Sequence, residues 1–165
     1  MSTVVADSSP LIALAKIEQF HLLRRLFERI VVPDAVWIEV VVRGEGKPAS
    51  ALVLSAHQEG WIQRQRARNV LAVTLLRANL GPGEAEAIVL AQEIKAMWVL
   101  LDDDLARAYA TGIGLRVKGT VGVLLAAYQA GFLSDLRGTM DELRAKGFWL
   151  SERVYQRILA ESGVS

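Results

Sequence analysis

The chain contains no cysteine. This excludes disulfide bonds, thiolate zinc sites and cysteine nucleophiles, and it is compatible with the reducing cytoplasm. Its apolar runs fall well short of the ~18 residues that a membrane-spanning helix requires. Near the N-terminus, Asp7 interrupts the apolar core that a signal peptide would need. We therefore expect a cytoplasmic protein that does not enter a membrane.

The sequence also lacks a marked excess of either charge. It has 19 Lys and Arg against 18 Asp and Glu, a formal net charge of +1, so no global field attracts nucleic acid, although a local basic patch remains open. With 165 residues, of which 52% are hydrophobic and 22% charged, the chain has the size and composition of one globular domain with a substantial core.

Short aliphatic runs alternate with amphipathic helical patterns along the chain. Such βα repetition predicts an α/β fold with a mainly parallel sheet of about five strands and helices on both faces. The predicted strands are Thr3–Ala6, "RIVVP", "WIQRQ", "MWVLL" and "GLRV". Ser9 is the expected N-cap of the first helix, and Pro33 begins the helix after the second strand. The breaker at Gly81 separates two helices, the second beginning at Glu84.

Acidic residues follow the predicted strands, where parallel α/β sheets bind their ligands. Asp7 follows the first strand, and Asp102, Asp103 and Asp104 follow "MWVLL". Glu84 begins a helix after the Gly-Pro-Gly turn. Carboxylates gathered at one edge without a counter-charge would raise one another's pKa. Their convergence suggests a cation site.

Taken singly, each acid also has a structural explanation. Glu39 has apolar neighbours on both sides, so we expect it to be at least half buried and either paired, bound to metal or salt-bridged at a helix flank. Asp7 lies in a turn and cap sequence, and Glu84 favours a helix N-terminus electrostatically. One of the three consecutive Asp residues must cap the helix "LARAYA".

The candidate ligands are all carboxylates. Hard oxygen donors suit Mg²⁺ or Mn²⁺ and argue against zinc or copper. His21 and His57 lie in amphipathic stretches without an evident partner. No Ser-His-Asp set, P-loop or GxGxxG fingerprint is present.

Five segments, in order, resemble a known family: "VVADSSPLIALAKI", "VVPDAVWIEV", "LGPGEAEAIVLAQE", "WVLLDDDLARAYA" and "VKGTVGVLLAAYQAG". They are similar to PIN-domain proteins, in particular the prokaryotic subfamily related to VapC-type toxin ribonucleases. The resemblance implies one PIN-like domain over residues 1–165, folded as a three-layer α/β/α sandwich around a parallel sheet. It also implies hydrolysis of RNA phosphodiesters with Mg²⁺ or Mn²⁺.

The same resemblance implies roles for individual residues. The implied metal ligands are Asp7, Glu84, Asp102 and Asp103. Glu39 would orient water or support a ligand, and Asp104 is the expected helix cap. Thr120 either offers its hydroxyl to the site or caps its own helix.

Two features depart from the common family pattern. Leu100 and Leu101 precede the Asp run where Thr or Ser is frequent, and Glu84 stands where Asp is frequent. Both changes keep every carboxylate but leave the detailed geometry open.

Contact with an RNA substrate requires basic side chains. Arginine occupies every second position at Arg64, Arg66 and Arg68. In an extended segment they share one face and are able to follow a phosphate backbone. The alternative is a solvated edge strand protected by charge.

Two other functions remain open. The first is a PIN-like binding module with low activity that acts through a homodimer or a small antitoxin, with Val70–Leu76 as a possible interface. The second, more distant one is an aspartyl phosphatase or receiver domain. It is disfavoured because Ser9 replaces the second Asp of the phosphatase motif and the receiver's acidic pair is missing, although Lys118 fits the receiver pattern. We expect an RNA substrate and a homodimer.

Overall fold

The computed structural model describes residues 2–164, which contain a five-stranded, all-parallel sheet. The strand order is β3-β2-β1-β4-β5. The strands are β1 (Thr3–Ala6), β2 (Arg29–Val32), β3 (Ile62–Arg64), β4 (Trp98–Leu100) and β5 (Val117–Lys118). The prediction of a parallel sheet of about five strands is confirmed.

Helices cover both faces of this sheet, as the sequence pattern predicts. The helices are α1 (Ser8–Lys16), α2 (His21–Leu26), α3 (Asp34–Trp37), α4 (Pro48–Glu59), α5 (Val70–Leu76), α6 (Pro82–Glu93), α7 (Asp104–Gly112), α8 (Thr120–Gln129), α9 (Leu136–Ala145) and α10 (Glu152–Ser162). Residues Ile38–Val42 continue α3 as a π-helical turn. The layers form an α/β/α sandwich.

Successive side chains of a strand point to opposite faces of the sheet, and each face has its own hydrophobic core. Val4 and Ala6 face the core formed with α1–α4 and α8–α10, whereas Val5 faces the core formed with α5–α7. Leu100 enters the first core and Leu101 the second, and neither is exposed at all. Each such leucine stabilises the fold by roughly 1.5–3 kcal/mol. Burial on both faces explains why the strand sequences are almost entirely apolar.

The topology produces a crevice between β1 and β4. From β1 the chain moves to β2 on one side of the sheet, and β4 later pairs with β1 on its other side. A parallel sheet opens at such a switch point, at the carboxyl ends of the two strands. Asp7 and Asp102 follow these two ends, so the fold delivers them to the same crevice.

The starts of α1 and α6 differ from the predictions. The N-cap of α1 is Asp7 rather than Ser9, because the extended backbone of β1 continues through Asp7 (φ −78°, ψ 171°) before the helix begins. Helix α6 begins at Pro82 rather than Glu84, with Gly81 as its N-cap. Proline suits this first position, where its missing N–H costs no helical hydrogen bond.

The π-helical turn was not apparent from the sequence, and it corrects the expectation for Glu39. Arg43 N–H donates to the Ile38 carbonyl at 2.8 Å, five residues back. Val36 and Val40 fill the core, which leaves Glu39 exposed rather than half buried. Such turns often occur at functional sites.

Among residues 2–164, we find no helix of the length and apolar character that crossing a membrane requires.

Candidate active site

The five acids predicted as site residues come from four parts of the chain and border two adjoining clefts at the carboxyl edge of the sheet. The first cleft, of about 470 Å³, is bordered by Asp7, Glu39 and Glu84. The second, of about 990 Å³, is bordered by Asp7, Glu84, Asp102 and Asp103, and also by Asp104 and Glu161. Asp7 and Glu84 belong to both clefts and therefore lie where they meet. The structure thus brings together all five predicted acids.

Asp7 is the most enclosed of the five acids, with 7% of its surface exposed. Its N–H donates to the Leu100 carbonyl at 3.0 Å, which ties the end of β1 to the end of β4. Burial is the largest cause that raises the pKa of Asp7, to about 7. The Ser8 N–H opposes this shift, and the carboxylates of Glu84, Glu39 and Asp102 add to it. The negative charge of Asp7 is therefore unfavourable without a nearby cation.

Glu84 connects the remaining acids electrostatically. It lies in the first turn of α6, half-buried, and burial raises its pKa. The charges of Asp103 and Glu39 raise it further. Through Asp7 and Glu84, all five carboxylates therefore belong to one coupled group.

Asp102 is held by donors from two helices. Thr120 donates its N–H to Oδ1 and its hydroxyl to Oδ2, both at 2.7 Å, and Ser9 Oγ donates to Oδ2 at 2.9 Å. Thr120 is fully buried and is the first residue of α8, whose N-cap is Gly119. The alternative that Thr120 caps its own helix is therefore wrong, because its hydroxyl is directed to Asp102.

Gly119 makes this arrangement possible. A Cβ at this position would lie 3.0 Å from Asp102 Oδ1 and 2.8 Å from Arg107 Nη1. A side chain at this position would therefore crowd the Asp102 carboxylate and the Arg107 guanidinium.

Asp103, not Asp104, is the N-cap of α7. Its Oδ2 accepts the Ala106 N–H at 2.9 Å, and its extended backbone (φ −66°, ψ 129°) marks it as the residue before the helix. Asp104 is already helical and exposed. The prediction of Asp104 as the cap is therefore wrong by one residue. Although Asp103 caps α7, it still belongs with the other site acids, because its charge raises the pKa of Glu84.

The first cleft depends on a second close-packed glycine. A Cβ on Gly83 would lie 2.9 Å from Asp7 Oδ1 and 3.7 Å from Glu39 Oε2. Gly83 thus keeps open the space between these two carboxylates. Glu39 accepts a 2.8 Å hydrogen bond from Ser8 Oγ, which fixes it at the border of the cleft.

The donor set fits a hard divalent cation, since all candidate ligands are carboxylate oxygens beside small polar side chains. Within residues 2–164, no three acidic or imidazole groups are already arranged closely enough to hold a metal ion. Hydrogen bonds hold three of the acids in place: Ser8 holds Glu39, Ser9 and Thr120 hold Asp102, and the α7 backbone holds Asp103. In their chemistry, the residues suit a hard divalent cation.

The three arginines predicted to contact substrate do not border either cleft. They lie on and after edge strand β3, two strands from β1. Arg64 forms a 2.8 Å ion pair with Asp34, and its guanidinium lies 5.8 Å from the centre of the Trp37 ring. The role of Arg64, Arg66 and Arg68 in substrate contact stays a prediction.

Other cations, which the sequence did not mark as substrate contacts, do border the clefts. Lys16 and Lys146 line the first cleft, and Arg107, Lys118 and Arg157 line the second. These five residues are scattered through the sequence and share no local motif. Ser8 and Ser9 were also missed as site residues, although their position directly after Asp7 was a usable signal.

Comparisons with known proteins support the architecture. A family model described as a PIN domain matches residues 3–164, almost the whole chain. A search of curated proteins found no match. PIN domains are generally nucleases and typically use divalent metals. On the extent of the family match, together with the five-stranded parallel sheet, the chain belongs to the PIN-domain family.

Proposed function

We propose that this protein is a divalent-metal-dependent ribonuclease whose active site is the group of five acids. The observation that carries the proposal is the burial of Asp7 at the switch point of the sheet, where the charges of Glu84, Glu39 and Asp102 act on it. A fold gains no stability from crowding like charges in this way. A bound cation would supply the missing counter-charge.

The proposed metal ligands are Asp7, Glu84, Asp102 and Asp103. A divalent ion, when bound, lowers the pKa of a water molecule and offsets charge on a scissile phosphate. The chain's own contribution is to hold its carboxylates in place. Ser9 and Thr120 orient Asp102, and the N-terminus of α7 orients Asp103.

Glu39 has a different proposed role. It is exposed, accepts a hydrogen bond from Ser8, and borders only the first of the two clefts. An exposed carboxylate at that place is suited to orient a water molecule. We therefore assign Glu39 to water positioning rather than to holding the metal ion.

The cations around the clefts support a polyanionic substrate. Lys16 and Lys146 lie at the border of the first cleft, and Arg107, Lys118 and Arg157 at the border of the second. Cations on both sides of the acids attract phosphates that the carboxylates alone would repel. Because the net charge is only +1, this local placement matters more than the global field.

In its biological setting, we propose a single-domain cytoplasmic enzyme that acts as the toxin of a toxin–antitoxin pair.

A second candidate function, a binding module with little turnover, is favoured by one observation. Val70, Leu71 and Leu75 on α5 are 60%, 68% and 66% exposed. This apolar face is suited to a second copy of the chain or a small antitoxin.

The test is RNA cleavage with two matched variants. Wild-type protein should cleave an RNA pool with Mg²⁺ or Mn²⁺ and lose this activity in EDTA. Asp103→Asn should lower the rate at least about 100-fold, whereas Asp135→Asn should retain it. Asp135 is the matched control because it caps α9 in the same manner but borders neither cleft. Equal loss in both variants, or cleavage without metal, would contradict the proposal.

A further inference from the structure

Trp149 is the most exposed large apolar side chain among residues 2–164, with 85% of its surface accessible. It lies between α9 and α10 and borders the second cleft, together with Asp7, Glu84, Asp102 and Asp103. An indole gains most from burial among the side chains, so a protein gains nothing for its own stability by leaving one in water. Its place on the same cleft as the acids calls for a functional explanation.

The backbone around Trp149 is held firmly on both sides. Phe148 N–H donates to the Leu143 carbonyl at 3.1 Å, and Gly147 adopts the left-handed conformation (φ 95°) that this helix end requires. On the other side, Leu150 is buried and its carbonyl accepts from Arg144 at 3.2 Å. The loop therefore presents the indole from a fixed backbone, so little conformational entropy is lost when a ligand stacks on it.

Cations accompany Trp149 along the same cleft. Arg107, Lys118 and Arg157 border it, and Lys118 Nζ lies 4.2 Å from the centre of the Trp98 ring. Arg157 is also 3.8 Å from Glu161 in an exposed ion pair, which is weak enough to yield to a phosphate. Aromatic faces combined with cations form the pattern that binds single-stranded nucleic acid, in which bases stack and phosphates are neutralised.

We propose that Trp149 is a substrate-binding residue that stacks on an unpaired base of the RNA strand whose backbone passes Asp7 and Glu84. This inference rests on the proposed ribonuclease function and adds a substrate requirement to it. In a duplex both faces of each base are already covered by neighbouring bases. Stacking on Trp149 therefore selects a loop, bulge or single strand over a continuous helix.

The apolar face of α5 is another large exposed apolar feature. Unlike Trp149, it does not lie on the cleft that the acids and cations border. Leu71 is 68% exposed, yet α5 borders neither cleft. Leu71 is therefore the matched control, since its removal deletes a comparably exposed apolar side chain away from the acids.

The experiment compares one end-labelled RNA as a single strand and annealed to its complement. Binding is measured by fluorescence anisotropy in EDTA, where metal-dependent cleavage does not occur. Trp149→Ala should weaken single-strand binding about 5- to 150-fold and leave duplex binding unchanged. Trp149→Phe should restore most of the affinity, and Leu71→Ala should bind as wild type does.

Unchanged single-strand binding by Trp149→Ala, or an equal loss with the duplex, would overturn the stacking role. So would a Trp149→Phe variant as weak as Trp149→Ala. A parallel Mn²⁺ assay separates the two proposals. Wild-type protein that cleaves no RNA contradicts the ribonuclease, while the EDTA binding comparison still decides the role of Trp149.

Discussion

Thr120 donates to both oxygens of Asp102, through its N–H to Oδ1 and through its hydroxyl to Oδ2, each at 2.7 Å. Thr120 is fully buried at the first position of α8, so it couples the start of that helix to the end of β4. The N-terminus of α8 also favours the charge of Asp102 through its dipole. Asp102 is thus positioned by a neighbouring helix rather than by its own segment.

Thr120→Val keeps the side-chain shape but removes one donor to Asp102. We expect metal affinity or activity to fall about 10- to 100-fold, as when other residues that orient metal ligands are changed. Thr120→Ser should recover most of the loss, because it retains the hydroxyl. Mn²⁺ titration of both variants, with circular dichroism to confirm folding, checks this. Full metal affinity in Thr120→Val would show that the hydroxyl does not position Asp102.

Asp7→Asn should abolish RNA cleavage yet stabilise the metal-free protein. Burial, together with neighbouring acids, raises the pKa of Asp7 to about 7 in the folded state, from 3.8. Between these two values the folded state binds more protons, so the free energy of unfolding decreases as pH rises from 3.8 towards 7. The decrease from this group amounts to at most about 4 kcal/mol.

Urea unfolding in EDTA at about pH 5 and about pH 8 measures this effect. Wild-type protein should be less stable at the higher pH, and Asp7→Asn should reduce that difference. At the higher pH the variant should be more stable than wild type. A destabilised Asp7→Asn variant at about pH 8 would mean that the charge of Asp7 is favourable without metal.

Gly83→Ala should damage the site even though alanine favours a helix. The added Cβ would lie 2.9 Å from Asp7 Oδ1 and 3.2 Å from Val36 Cγ2, so Asp7 must shift. We expect activity to fall at least about tenfold. Gly112→Ala is the control, because it lies in α7 with no atom within 4 Å of its Cβ. That variant should keep activity and gain up to about 1 kcal/mol of stability. Equal activity in the two variants would contradict a role for Gly83 in placing Asp7.

The sheet was predictable because burial on both faces leaves a strong local pattern. Val4, Val5 and Ala6 form an uninterrupted apolar run, and the next residue is the polar Asp7. The positions of Asp7 and of the three consecutive Asp residues after strands followed from the same pattern. Parallel strands place their carboxyl ends at one edge, which is why these acids were expected to converge.

What the sequence did not predict depends on contacts between distant segments. The π-helical turn exposes Glu39, although its neighbours in sequence are apolar. Asp103 rather than Asp104 caps α7 because the extended backbone after β4 ends at Asp103, one residue earlier than expected. Trp149 gave no sequence signal, since its exposure and its place on the cleft of the acids arise only when α9 and α10 pack against α8.

Calorimetric titration of the metal-free protein with Mn²⁺ tests the central claim most directly. The claim is that Asp7, Glu84, Asp102 and Asp103 together hold a divalent ion. Wild-type protein should bind Mn²⁺ and release protons at about pH 6, because carboxyl groups with raised pKa lose their protons on binding. Asp7→Asn should bind at least tenfold more weakly and release fewer protons. Wild-type protein that binds no Mn²⁺, or an Asp7→Asn variant that binds it equally well, would contradict the claim.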